Sequence, residues 1–190
     1  MTMWIGLLVF LIPAESGGAS GASAELFAAL YEEFLPKVFR FIRYRIEDNG
    51  TAEDLTSVVF EKALTRFQTY RSDKAGFSTW IFTIARNTVI DHLRVSHKDR
   101  VTVLNEEFDP PSARPSPEED AIRSEERRRL NAMVMQLPEP VQRIISLKFG
   151  AEMTNRQIAT LLGVSESNVA NTLFRAVRKL RDSYKGWRDD

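Results

Sequence analysis

Apolar residues recur every three or four positions along the first half of the chain, which is the spacing of helices that pack one face on a core. One such stripe comprises Leu26, Leu30, Phe34, Val38, Phe41 and Ile42. After the Asn49-Gly50 turn signal, Thr51 is the predicted cap of a second helix, and a third helix is predicted to start near Ser78. Strand-like alternation of useful length does not occur. The pattern therefore predicts an all-α protein.

The stretch "QIATLLGVSESNV", residues 157–169, predicts two helices joined by a short turn. Thr154 and Gln157 have the spacing of a capping box, Gly163 can end a helix in the left-handed conformation, and Ser165 can cap the next helix. The apolar stripe of that second helix comprises Val169, Leu173, Ala176 and Leu180. Its opposite face carries Ser167, Asn171, Arg175 and Arg178, with Asn168 and Phe174 at the margins.

Two interpretations of this pattern remain open from the residues alone. The pair is an ordinary helical hairpin with a solvated polar face, or it is a helix-turn-helix whose second helix enters a DNA groove. The amide, hydroxyl and guanidinium groups of the polar face are the types that bind base edges and phosphates. The formal net charge of zero hides a basic block, because residues 127–190 hold twelve Lys and Arg against six Asp and Glu. That local charge favours contact with phosphates.

The composition excludes several kinds of chemistry. The chain has no cysteine, which rules out disulfides, thiolate catalysis and cysteine-bound zinc. Its two histidines, His92 and His97, lie about 140° apart around a predicted helix and do not share one face for a metal. Glycine loops for phosphate and serine nucleophile elbows do not occur. We expect no enzyme activity, no cofactor and no metal site.

The first residues allow three interpretations. "MWIGLLVFLI", residues 3–12, is apolar but lacks the basic start of a signal peptide, and it is shorter than the roughly 20 residues of a membrane-spanning helix. It is the product of a misassigned start codon, part of a flexible tail, or a membrane address. The Gly, Ser and Ala residues that follow predict a disordered linker. We therefore assign residues 1–24 to a flexible tail.

The entry to the third helix, "FSTWIF", concentrates Phe77, Trp80 and Phe82 beside a basic loop. Aromatic rings next to cations can stack on unpaired bases, and they can equally well fill a core.

Three segments together resemble the extracytoplasmic-function (ECF) group of the sigma-70 family of bacterial RNA polymerase sigma factors. They are "AEDLTSVVFEKAL" (52–64), "FSTWIFTIARNTVIDHLR" (77–94) and "LPEPVQRIISLKF…TNRQIATLLGVSESNVANTLFRAVRKLR" (137–181). The resemblance implies two small helical domains joined by a flexible linker. Its boundaries would be 25–100 for region 2, 101–124 for an acidic, Pro-rich linker and 125–185 for the region 4 helix-turn-helix.

The resemblance also implies roles for individual residues. Contact with RNA polymerase falls to Asp54, Ser57, Val58, Glu61 and Lys62. Promoter melting falls to Arg71, Lys74, Phe77 and Trp80. Binding of minus-ten DNA falls to Arg86, Asn87, Asp91, Arg94 and Lys98. Reading of the minus-thirty-five element falls to Ser165, Ser167, Asn168, Asn171, Thr172, Arg175 and Arg178.

The implied function is that of a cytoplasmic sigma factor that binds core RNA polymerase and promoter DNA, with an anti-sigma factor as a further implied partner. Two departures from the family pattern stand out. In the segment that would contact the polymerase, Ser57 and Val58 replace a frequent Gln–acid pair. In the second helix of the helix-turn-helix, Ala170, Asn171 and Thr172 replace a frequent Lys-Ser-Arg. Because this second change removes cations, we expect weaker attraction to phosphates. The alternatives are a stand-alone helix-turn-helix regulator of duplex DNA and a membrane-linked interaction protein anchored by residues 3–12.

Overall fold

The computed structural model describes residues 19–73, 75–99, 126 and 128–188, and every regular element within these residues is helical. In chain order the helices are α1 (Ala19–Arg43), α2 (Asn49–Arg66), α3 (Phe77–Asp99), α4 (128–135), α5 (Glu139–Ile145), α6 (Asn155–Leu162) and α7 (Glu166–Arg188). A 3-10 turn, Phe67–Thr69, follows α2, and a π-helical turn, Ser146–Gly150, extends α5. The predicted all-α class is confirmed.

Helices α1, α2 and α3 form a bundle, called the first unit below, in which each helix packs against the other two. Its core is aromatic and aliphatic: Val38, Phe41, Ile42, Val59, Ile81 and Phe82 are almost completely buried. The rings of Phe41 and Phe82 meet edge to face with centroids 5.6 Å apart, an arrangement that aromatic pairs prefer. The predicted apolar stripes of these helices thus form one core.

The start of α1 and the start of α2 both differ from the prediction. Helix α1 begins at Ala19, so the last six residues of the predicted 1–24 tail are helical, and Leu26 is exposed whereas Phe27 is buried. Helix α2 is capped by Asp48, whose Oδ2 accepts the Thr51 backbone N–H at 2.6 Å. The prediction of Thr51 as the cap was wrong, because the backbone N–H of Thr51 is itself the donor that the cap residue Asp48 accepts. The Asn49-Gly50 pair therefore forms the first turn of the helix.

Helices α4 to α7 form the second unit, in which α7 packs on both α5 and α6. Leu147, Met153, Ile158 and Val169 are buried at its centre. The Gln142 side chain donates to the carbonyls of Met135 and Leu137, both at 2.8 Å, and so satisfies backbone acceptors where α4 ends.

The two units contact each other. Helix α1 packs against the π-helical turn of the second unit, and α3 packs against α6. The predicted linker 101–124 and the apolar segment 3–12 lie outside the described residues.

Candidate nucleic-acid and polymerase interfaces

The turn between α6 and α7 is built from three local devices, all of which the sequence predicted. The Gln157 backbone N–H donates to Thr154 Oγ1 at 3.3 Å and the Thr154 N–H donates to Gln157 Oε1 at 2.8 Å, which completes the capping box. Gly163 ends α6 in the left-handed conformation, with φ 68° and ψ 34°. The Asn168 backbone N–H then donates to Ser165 Oγ at 3.2 Å. Two short capping signals and one glycine therefore fix a helix-turn-helix.

Helix α7 has two distinct faces. The inner face is apolar, with Val169, Leu173 and Ala176 buried and Leu180 half-buried. The outer face is polar and exposed, and it comprises Ser167, Asn168, Asn171, Arg175 and Arg178. Because the inner stripe holds the helix on α5 and α6, the outer groups project together from one rigid surface.

Neighbouring side chains order part of this outer face. The hydroxyls of Ser165 and Ser167 lie 3.2 Å apart, and the Thr172 hydroxyl donates to Asn168 Oδ1 at 3.3 Å. Phe174 lies among these polar groups with 69% of its surface exposed. An exposed phenyl ring can contact a thymine methyl group, so Phe174 joins the candidate DNA contacts. A bulky apolar residue at the margin of the polar face was its only signal in the sequence.

The aromatic residues at the start of α3 divide between core and surface. Phe82 is fully buried and Phe77 is 7% exposed, so both belong to the core. Trp80 is half-buried and lies 5.1 Å from Tyr70 and 5.4 Å from Phe77, measured between ring centroids. Of the three rings, Trp80 is therefore the one that can reach a base, and Phe77 supports it from below.

A shallow cleft of about 320 Å³ opens beside Trp80, between α2 and α3. It is lined by Lys62, Arg66, Thr69, Trp80, Asn87 and Asp91, among others. Cationic and amide groups beside an indole ring suit a negatively charged backbone with unstacked bases. Arg66 and Thr69 were missed by the sequence reasoning, because only the packing of α2 on α3 brings them to this cleft.

Some polar side chains on the outer face of α3 already have partners within the protein. Asn87, Asp91 and Arg94 are exposed, and Arg94 Nη1 lies 4.0 Å from Asp91 Oδ1. Arg86 instead donates from Nη1 to the Leu161 carbonyl of the second unit at 3.0 Å. The side chain of Lys98 lies outside the described residues.

Comparison with known proteins agrees with this geometry. Residues 30–98 match the family description "Sigma-70 region 2", and residues 127–180 match "Sigma-70, region 4". The chain is 30% identical over 155 residues to the ECF RNA polymerase sigma factor RpoE of Cereibacter sphaeroides, covering 82% of this chain and 84% of that one. The chain belongs to the ECF group of the sigma-70 family. It is an RNA polymerase sigma factor.

Another relative is the ECF sigma factor BldN of Streptomyces coelicolor, 33% identical over 162 residues. That match covers 85% of this chain and spans 61% of the length of BldN. The fold is similar to a sigma factor RpoE solved in complex with the anti-sigma factor NepR from Bartonella quintana, with a TM-score of 0.64 and 19% identity over 84% of this chain and 96% of that one.

The residues of this sigma factor expected to meet the polymerase form most of one surface on α2. Asp54, Ser57 and Glu61 are exposed on it, and Val58 is half-buried beside them. Lys62 points elsewhere, because its Nζ donates to the hydroxyl of the buried Thr88 on α3 at 3.1 Å. The structure therefore groups Lys62 with the cleft beside Trp80 rather than with the exposed α2 surface.

The loop before α3 carries Arg71, which is exposed and has Nε 3.8 Å from Asp73 Oδ1. Lys74 lies outside the described residues. Within the described part of the chain, His, Asp and Glu do not cluster in a way that could hold a metal ion. In the same part, helices long and apolar enough to cross a membrane do not occur.

Proposed function

We propose that the two units of this sigma factor divide promoter recognition between them, and that α7 reads the minus-thirty-five element in the major groove. The observation that carries this proposal is the exposed row of Ser167, Asn171, Arg175 and Arg178 on a helix whose opposite face is buried. A helix so held presents its first turns to base edges while the helix before it crosses the backbone. Arg175 supplies the fork of donors that pairs with a guanine edge or a phosphate.

The first unit holds the minus-ten element and the melted strand. Asn87, Asp91 and Arg94 line the exposed face of α3, and Trp80 stands at the mouth of the cleft between α2 and α3. Stacking a base on an indole ring contributes about 1–3 kcal/mol, which offsets part of the few kcal/mol needed to unpair a flipped base. Phe77 acts here as a support for Trp80, and Arg71 attracts the strand's phosphates.

The exposed surface of α2, formed by Asp54, Ser57, Val58 and Glu61, contacts core RNA polymerase. The proposed boundaries are 1–24 for the tail, 25–100 for region 2, 101–124 for the linker and 125–185 for region 4, with helix α1 extending into the tail.

The protein acts in the cytoplasm without catalytic chemistry of its own. An anti-sigma factor binds it, by analogy with the Bartonella complex. The stand-alone regulator is not favoured, because it leaves the region 2 surfaces unexplained.

The test pairs Arg175→Ala with Arg181→Ala in reconstituted transcription on fragments of the host genome. Both residues are exposed on α7, and both substitutions remove one positive charge. Arg181 lies about 9 Å further along the helix, away from the turn. Loss of a base contact is worth about 1–3 kcal/mol, so we expect Arg175→Ala to reduce initiation roughly 5- to 150-fold at unchanged start sites, and Arg181→Ala to change it little. Equal losses from the two variants would contradict a reading role for Arg175.

A further inference from the structure

One threonine of α7 forms a different hydrogen bond from four other helical threonines of this protein. Those four donate their hydroxyl to the backbone carbonyl four residues earlier, at 2.6 to 3.0 Å, and they are Thr56, Thr65, Thr83 and Thr160. That bond is common for a threonine inside a helix. Thr172 instead donates to a side-chain atom, Oδ1 of Asn168, at 3.3 Å. Its hydroxyl therefore acts on a neighbouring side chain of the outer face.

Thr172 lies at the border of the outer face of α7. A helix turns about 100° per residue, so Thr172 lies about 60° around the helix from Val169 of the buried stripe, and Asn168 lies about 100° from it. Thr172 is accordingly half-buried, whereas Asn168 is exposed. Of the two side chains, Asn168 is the one that can reach a base, and Thr172 supports it from the side of the core.

Asn168 is held at both its backbone and its side chain. Its backbone N–H donates to Ser165 Oγ at 3.2 Å, which fixes the residue in the first turn of α7. The first residues of a recognition helix are those that contact base edges in the major groove. The side-chain oxygen accepts the Thr172 hydroxyl, while Nδ2 makes no hydrogen bond to any residue that the structure describes. Two N–H donors of the amide thus remain for a ligand.

The part of the amide that stays open determines which base suits Asn168. An unconstrained asparagine reads adenine with both arms, its oxygen accepting from the N6 amino group and its nitrogen donating to N7. The bond to Thr172 holds the oxygen of Asn168 and so prevents the amide from turning both arms to one base. The two remaining donors match guanine, whose major-groove edge carries two neighbouring acceptors, O6 and N7.

We propose that Thr172 is a positioning residue that restricts Asn168 to hydrogen-bond donation, so that Asn168 selects guanine over adenine in the minus-thirty-five element. The proposal rests on the proposed function, in which α7 enters the major groove. Thr172 then touches no base itself, in contrast to the role that the family resemblance implies. Asn171 is exposed, and its side chain makes no hydrogen bond within the described residues, so it keeps both arms for a base.

The experiment uses core RNA polymerase, the full chain and a promoter fragment recovered by transcription of genomic fragments, with its minus-thirty-five element randomised. Sequencing the fragments retained in promoter complexes gives the ratio of G·C to A·T pairs at each position. Asn168→Ala identifies the position that this residue contacts. Thr172→Val removes the hydroxyl and keeps the branched shape, whereas Thr172→Ser keeps the hydroxyl. Thr160→Val is the matched control, because the hydroxyl that it removes bonds within α6.

We expect the wild type to select G·C pairs at one position, and Asn168→Ala to abolish that preference. At the same position Thr172→Val should lower the ratio of G·C to A·T pairs about fivefold or more, since a bidentate contact discriminates between bases by at least ~1 kcal/mol. Thr172→Ser and Thr160→Val should retain the wild-type ratio. Circular dichroism checks that each variant is helical, and Thr172→Ala, which favours a helix, serves if Thr172→Val does not fold.

Three results would overturn the positioning role. They are a wild-type preference for A·T pairs at the position of Asn168, an Asn168→Ala variant that changes the preference at no position, and a Thr172→Val variant that weakens complexes equally on all sequences. Arg175→Ala tests the proposed function separately. If Arg175→Ala changes neither initiation nor any base preference, α7 does not read the element. If Arg175→Ala reduces initiation while Thr172→Val leaves the base ratio unchanged, only the positioning role fails.

Discussion

Gly163→Ala isolates the backbone conformation that joins α6 to α7. Gly163 has φ 68° and ψ 34°, and a Cβ at this position would meet nothing within 4 Å. The destabilisation expected from Gly163→Ala therefore comes from the backbone conformation and not from a steric clash. Holding a residue with a Cβ in the left-handed region costs roughly 1–2 kcal/mol. Alanine also lowers the conformational entropy of the unfolded chain, which offsets about 0.4–1 kcal/mol of that cost.

The expected net loss is about 1 kcal/mol in the free energy of unfolding, or roughly 4–8 °C in Tm for a unit of this size. Urea unfolding followed by far-ultraviolet circular dichroism measures it. Gly50→Ala is the matched control, because Gly50 lies within α2 and alanine there should stabilise by about 0.5–1 kcal/mol. Gly163→Asn should lose less than Gly163→Ala, since asparagine tolerates the left-handed region. A Gly163→Ala chain as stable as the wild type would refute the backbone argument.

Three further predictions concern single contacts. Thr154→Ala removes the cap of α6 and should cost about 1 kcal/mol in the free energy of unfolding, restored by Thr154→Ser; a loss no greater than that of Thr160→Ala, a threonine within the same helix, would contradict the cap. Hydrogen bonds from Thr51 hold the pKa of Asp48 below its ordinary value of 3.8, so its contribution to stability is present above that pH and lost as the pH falls through the folded pKa. The stability difference between wild type and Asp48→Asn should accordingly shrink on acidification, and a difference that grows would be the wrong sign. Lys62→Met should leave assembly with core polymerase intact while weakening open-complex formation on a promoter, whereas loss of polymerase binding would return Lys62 to the α2 surface.

The features that the sequence predicted well are local ones. The capping box at Thr154, the left-handed Gly163 and the serine cap all act within three or four residues, so their patterns are visible in the chain itself. The apolar stripe of α7 was equally readable, because helical periodicity alone decides which side faces a core.

The errors arose where two nearby signals compete or where distant segments meet. Asp48 and Thr51 are both good caps, and only the backbone decides between them. The Gly, Ser and Ala residues before Glu25 suggested disorder, although α1 extends into them. Phe77 was expected at the melting site and is buried in the core, because the ring of Phe34 on α1 and the ring of Phe67 in the 3-10 turn pack against it.

The docking of the two units had no signal in the sequence. Arg40 and its partner Gly150 are 110 residues apart, and a pattern within one helix carries no information about such a pair. Arg45 is buried although arginine is usually exposed, and burial lowers its pKa despite the neighbouring Glu139. Only the packed structure distinguishes this arginine from others on the surface.

We infer that this chain directs core RNA polymerase to promoters through both of its units. The most direct test is transcription by purified core polymerase with the full chain on fragments of the host genome, with the transcripts sequenced. We expect discrete start sites that require the protein and that are lost or strongly reduced with Arg175→Ala and with Trp80→Ala. If core polymerase gains no initiation while the protein alone retards duplex fragments, the chain acts as a stand-alone DNA-binding regulator, which would contradict promoter recognition with core polymerase.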